Sequence, residues 1–311
     1  MFVGHGLVAF AIAASVAARR GWPVERALAV GLVAGLFGAL PDVDMLYAAV
    51  GLVGGLEGFV ATSDAFWDVA NEVHRGATHS LVVGALAAVG FTGWHARDDL
   101  RVGALGVVVL LGLVAMVTAV GGPVPGAVAA AFVLGGVGVV TLAERFELGT
   151  GVVFGAATLG LVSHPFGDLL AGPAPALLYP FDVGVLAGGV TLHPDPTVHL
   201  LGAFFLELAT VWAALAVLTH LRGRRLRHHV SPRAALGLAY VGAVFVIPAP
   251  TVEVASPFVF TVLAVGLLGV PLQSPRSRDG RIVDRHAITT ALAAVTLAAF
   301  AYAGAYVIGL S

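Results

Sequence analysis

Ten apolar runs, at about 3–18, 27–41, 79–95, 102–120, 124–143, 151–170, 197–219, 233–249, 255–272 and 287–308, leave this chain few ways to fold. A helix needs ~20 apolar residues to cross the hydrocarbon core of a bilayer, and several of these runs fall slightly short of that length. Only 11% of the residues are charged and 59% are hydrophobic, whereas soluble domains carry about 25% charged residues. So much apolar surface has no water-soluble core to enter. The expectation is an all-α, polytopic transmembrane helical bundle of about ten spans. Glycine is abundant inside the runs, which suits close helix packing in lipid. The break at 121–123 is tight, so runs four and five form a helical hairpin. We divide the chain into a membrane core at 1–182, with the hairpin near 102–143 as an insertion, and C-terminal transmembrane helices at 183–311.

Every basic residue is an arginine, and their positions orient the bundle. If the runs alternate across the membrane, fifteen of the sixteen arginines fall on one side; Arg75 alone falls on the other. The positive-inside rule makes the arginine-rich side cytoplasmic and places both termini outside. The string from His220 to His229 then reads as an anchor to anionic lipid on the inner surface. The opposite side is acidic. Glu57, Asp64, Asp68 and Glu253 are read as loop charges, Asp182 is given no role, and Glu72 is the ion-pair partner in the plainer reading of Arg75.

Four clusters differ from ordinary loop charge. His5 lies near the outer end of the first run. Leu40-Pro41-Asp42-Val43-Asp44 ends the second, where proline disfavours helix continuation. His74-Arg75-Gly76-Ala77-Thr78-His79-Ser80 opens the third; its plainer reading is a helix start capped by Thr78 or Ser80. Ser163-His164-Pro165-Phe166-Gly167-Asp168 closes the sixth, with His164 and Asp168 at i and i+4 on one face. At 1.5 Å per residue all four clusters reach a similar depth, roughly 20–24 Å from the inner ends of their runs. Ionisable groups at that depth are expensive and need partners. A shared cation satisfies them together. Cysteine is absent, so the ligands are histidine and carboxylate, a set that suits zinc, with manganese or iron as alternatives. One or two ions fit this many donors.

In their order and spacing, these blocks resemble the YdjM-like family of membrane-bound metal-dependent hydrolases. The likeness runs over about residues 1–182 and includes Gly172-Pro173-Ala174 through Leu178-Tyr179-Pro180. It implies an integral membrane protein with a metal site built from these residues. The expected metal ligands are His5, Asp42, Asp44, His79, His164 and Asp168. His74 is a ligand or a general acid, and Arg75 holds an anionic group of the substrate. The chemistry expected is metal-assisted hydrolysis. A site recessed beneath the outer leaflet favours an amphipathic or lipid-linked substrate, such as a phospholipid or a lipid-linked phosphate ester; the other partner is the bilayer, and no nucleic acid is expected. The alternatives are a metal-ion transporter and a noncatalytic membrane protein with a structural metal. Glu207, His193 and His199 lie beyond the resemblance. Mid-membrane Glu207 is either a hydrogen-bonded structural group or a ligand or proton relay, and His193-Pro194-Asp195-Pro196 is a stiff loop.

Overall fold

The computed structural model describes residues 3–53, 74–170, 172–181, 183–186, 188–224, 230–269 and 285–310. Glu57, Asp64, Asp68, Glu72, Asp182 and residues 225–229 of the 220–229 string lie outside the described residues. The described secondary structure is entirely helical: α1 (Gly4–Arg19), α2 (Val24–Ala39), a 3-10 helix (Leu40–Val53), a 3-10 turn (Ala77–His79), α3 (Leu81–His95), α4 (Leu100–Gly121), α5 (Pro123–Arg145), α6 (Thr150–Asp168), α7 (Pro196–Leu221), a second long 3-10 helix (Pro232–Phe245), α8 (Ser256–Gly269) and α9 (Arg285–Val307). All ten apolar runs are helical. By length and composition, Val24–Ala48, Leu100–Gly121, Pro123–Arg145, Pro196–Leu221 and Ala287–Val307 are long and apolar enough to cross a membrane.

The chain divides into two compact units. The first comprises Met1–Val190 with Thr210–Leu218, and the second Thr191–Ala209 with Thr219–Ser311. In the first, α1 packs on α2 and both pack on α6, while α3 packs on α6, α4 and α5. Phe37, Phe91 and Phe132 stack through its interior, with ring centroids 5.6 and 6.0 Å apart. The Phe91 ring rests on Gly136, where a Cβ would lie 1.9 Å from it. Gly160 allows α6 to touch the α2 backbone, since a Cβ there would come within 2.5 Å of the Gly38 nitrogen. These small residues draw α1, α2 and α6 into direct backbone contact, the way helices gain packing energy in lipid. At the end of α3, Arg97 forms a bidentate pair with Glu144 of α5.

Two local results refine the sequence reading. Proline does end α-helical geometry after Ala39, but the chain tightens into a 3-10 helix instead of leaving the helical region. Pro41 sits in the first turn of that helix, where no amide hydrogen is required. The eighth apolar run is likewise a 3-10 helix, started by Ser231, whose Oγ accepts the Arg233 amide.

The second unit has its own core. Phe258 and Tyr302 are fully buried, their rings 5.1 Å apart. Tyr240 packs on both and shares a 2.6 Å hydrogen bond with Thr261.

Candidate metal centre

Helix α1 carries His5, α2 runs on into the segment bearing Asp42 and Asp44, and α6 ends on His164 and Asp168. The fourth contributor is the segment before α3. Ser80 is the N-cap of α3 and accepts the amides of Val82 and Val83. Its hydroxyl hydrogen points to the carbonyls of Tyr179 and Leu177, at 2.8 and 3.3 Å. The plainer reading of this stretch as a capped helix start therefore holds for Ser80. Arg75 has φ +66°, a left-handed conformation costly for a residue with a side chain. Its Nη1 donates to the Pro173 carbonyl at 2.7 Å, and its own carbonyl accepts the Ala176 amide. These bonds clamp the 172–177 segment against the histidine loop, so Arg75 has an anchoring role that its charge alone did not reveal.

The four segments bring their ionisable groups together. His79 Nε2 lies 3.0 Å from Asp168 Oδ2 and 3.6 Å from Asp42 Oδ1. His164 Nε2 lies 3.5 Å from Asp168 Oδ2 and 3.4 Å from Asp42 Oδ1. His5 Nε2 lies 3.1 Å from Asp168 Oδ1, and the His5 and His164 rings stack at 4.0 Å. Asp44 takes the other side of the histidines, with Oδ1 3.1 Å from His74 Nδ1 and Oδ2 3.3 Å from His79 Nδ1. His5, Asp44, His79, His164 and Asp168 are buried, whereas the side chains of Asp42 and His74 retain 18% and 13% of their exposure. The centre is therefore reached past Asp42 and His74.

The hydrogen bonds fix which ring nitrogens carry lone pairs. The Gly38 carbonyl can only accept, so His164 Nδ1–H donates to it, at 2.7 Å. Thr78 Oγ1–H donates to Asp44 Oδ2 at 3.1 Å, leaving its oxygen to accept from His79 Nδ1–H at 3.0 Å. With each ring neutral, its Nε2 lone pair faces the two carboxylates. His79 Nε2, His164 Nε2 and Asp42 Oδ2 are buried without a properly directed hydrogen bond among the described residues. A lone pair aimed at an anionic oxygen repels it unless a proton or a metal cation lies between them, and at these two nitrogens the directed hydrogen bond that a proton would make is missing among the described residues.

The spacing fits such a cation. Tetrahedral zinc, with bonds of about 2.0–2.2 Å, sets its ligands about 3.3–3.6 Å apart. The four separations among His79, His164, Asp42 and Asp168 are 3.0–3.6 Å. His5, His164 and Asp168 form one group able to hold a metal ion, and Asp42, Asp44, His74 and His79 a second. All eight residues singled out in the sequence lie in this region, although Arg75 and Asp44 engage it differently from the other six. No pattern in the residues marks the Gly38 carbonyl, and pattern marks Thr78 only as a cap.

Beyond this cluster the polar groups are structural. Asp195 caps α7 by accepting the Val198 amide, which holds its carboxyl below the usual carboxylate range, and it also accepts a hydrogen bond from Tyr306. His193 Nδ1 accepts the Asp195 amide and His199 Nδ1 the Leu192 amide. Half-buried Glu207 belongs to neither metal-binding group.

A helical bundle with several membrane-length apolar helices defines an integral membrane protein, and its buried histidine–carboxylate cluster is a candidate metal centre. The chain belongs to the YdjM inner membrane protein family, whose model matches residues 1–249. The match extends well past residue 182, where the recognisable blocks end. Comparison with curated proteins and with solved structures gave no match.

Proposed function

We propose that this protein is a metal-dependent hydrolase acting on an amphipathic or lipid-linked ester, with a phosphoester as the favoured substrate. The observation that carries the reading is the convergence of His79 Nε2, His164 Nε2, Asp42 and Asp168, beside the partly exposed side chains of Asp42 and His74. Those four side chains would hold a divalent cation, zinc by donor type, with manganese or iron as alternatives. When bound, the cation supplies a nucleophile at neutral pH and polarises the scissile group.

The remaining residues prepare the site. Asp44 accepts His74 Nδ1–H, so His74 presents Nε2 as the atom that takes up and returns a proton. Arg75 is fixed by the Pro173 carbonyl next to His74 in the chain, and its charge draws an anionic head group toward the centre. His5 holds Asp168 through its second oxygen. Phe37, Phe91 and Phe132 are buried against one another and make this part of the interior apolar, which favours hydrolysis over ion transport.

The test uses protein purified in detergent. We expect close to stoichiometric transition metal by elemental analysis. A panel of phosphate and carboxylic esters on one- and two-chain lipids should show release of phosphate or fatty acid that a chelator stops. Metal-loaded protein that is inert across the panel but moves the ion into vesicles would make it a transporter.

The arginine distribution orients the protein with its arginine-rich connections in the cytoplasm and the centre toward the outer leaflet. Single cysteines at Ser231 and Ser311 separate the two orientations. An impermeant thiol reagent applied to intact cells should label position 311 and spare 231; the reverse pattern inverts the protein.

A further inference from the structure

Asp44 is near enough to share a cation with Asp42, His74 and His79, yet it meets the two histidines on the wrong atoms for that role. Its Oδ1 faces His74 Nδ1 and its Oδ2 faces His79 Nδ1. The convergent nitrogen of His79 is Nε2, across the ring, 3.0 Å from Asp168 and 3.6 Å from Asp42. Thr78 closes the arrangement, donating its hydroxyl hydrogen to Asp44 Oδ2 and receiving His79 Nδ1–H on its oxygen. Asp44 and His79 are fully buried and Thr78 is 5% exposed, so water does not compete for these bonds. An outer carboxylate of this kind fixes ring orientation and tautomer, and losing one typically costs 10–100-fold in metal affinity.

We infer that Asp44 and Thr78 are positioning residues that together aim His79 at a divalent cation held by Asp42, His79, His164 and Asp168, and that the same carboxylate aims His74. This rests on the metal reading above and deepens it. One buried carboxylate thus sets the tautomers of a metal ligand and of the proton-carrying histidine at once. Thr78 makes the arrangement selective. Its hydroxyl has one hydrogen, and giving it to Asp44 leaves only the oxygen for His79, which must then protonate at Nδ1.

The test is cobalt binding to the purified full-length protein, followed by the visible absorption of the ion and by its dissociation constant in competition with a chelator. Cobalt absorption reports the number and type of ligands; the constant reports how well they are aimed. Asp44→Asn and Thr78→Val should keep one spectrum and one stoichiometry, those of the unsubstituted protein, while Kd rises 10–100-fold. Thr78→Ser restores the hydroxyl and should return Kd to within about twofold of the unsubstituted value, on the scale of that outer-shell effect. Asp42→Asn, which removes a ligand, should change the spectrum itself. If Asp44→Asn alters spectrum and stoichiometry as Asp42→Asn does, Asp44 is a ligand and the inference is wrong. It is equally wrong if Thr78→Val leaves Kd unchanged. Should Asp44→Asn fail to fold, the Thr78 pair decides alone. If the unsubstituted protein binds no cobalt or zinc, the metal reading falls and takes this inference with it; normal binding with indifferent variants overturns only the inference.

Discussion

A protein carrying both His164→Ala and Asp168→Ala is expected to remain folded and to lose most of its bound transition metal. The two side chains sit one turn apart on α6 and provide two of the four convergent atoms. Four-ligand zinc sites in small domains bind with about 10–16 kcal/mol at neutral pH. With half of the ligands gone, the remaining affinity does not survive purification. Exchanging both residues is gentler on the fold than exchanging one. A single buried charge stripped of its partner costs about 3–5 kcal/mol, whereas the double change removes base and acid together. Helix α6 keeps its seat because Gly160, Leu161, Ala157 and Val153 hold it against its neighbours. Metal per chain and thermal unfolding in detergent are the measurements. Unchanged metal content would place the centre elsewhere.

The second large effect concerns turnover. His74→Ala should leave metal content intact and reduce kcat by about 10²–10⁴, the usual contribution of a positioned acid or base. Burial and partner choice set His74 apart from the other histidines. It is partly exposed, its Nδ1 is committed to Asp44, and its ring meets His79 edge-on at 4.9 Å. A residue in that place can exchange protons with solvent, which fully buried His79 and His164 cannot do. The measurement is steady-state hydrolysis of whichever ester the substrate panel identifies, with metal determined on the same samples. Metal lost along with activity would make His74 a ligand; full turnover would remove it from the chemistry.

Much of the fold was legible because a bilayer imposes a one-dimensional rule. Apolar runs of the right length become helices whatever their neighbours do, and all ten runs are helical. The neighbourhood of the centre was legible for a related reason. Histidine and aspartate are so costly in such a chain that their clustering at one depth already implied proximity, and the i, i+4 spacing of His164 and Asp168 placed both on one face. The division of labour was not legible. Whether a carboxylate meets Nδ1 or Nε2 of an imidazole is decided by helix rotation and by neighbours such as Thr78 and the Gly38 carbonyl. Pattern alone therefore does not show that Asp44 faces Nδ1 of His74 and His79 while Asp42 faces Nε2 of His79 and His164. The tie of Arg75 to the Pro173 carbonyl was not legible either, because it joins residues 98 apart. The 3-10 geometry of Leu40–Val53 was hidden too, since apolar periodicity does not distinguish tight helices from ordinary ones.

The order in which the contributors are made has a consequence for biogenesis. His5 and the carboxylate it meets are separated by 163 positions. At synthesis rates of about 5–20 residues per second, α1 waits on the order of 10–30 s for Asp168 to leave the ribosome. During that interval the first two helices are already delivered to the insertion machinery with His5 and Asp42 still lacking their α6 partners. Nascent α1 and α2 are thus poor residents of lipid until the sixth helix joins them, and the early intermediate must stay in a hydrated or protein-lined environment. The tight glycine contact of α1 with α2, Gly6 against Gly35, involves helices adjacent in the chain, so this pair can form first and present its polar end as a single unit to the helices that follow.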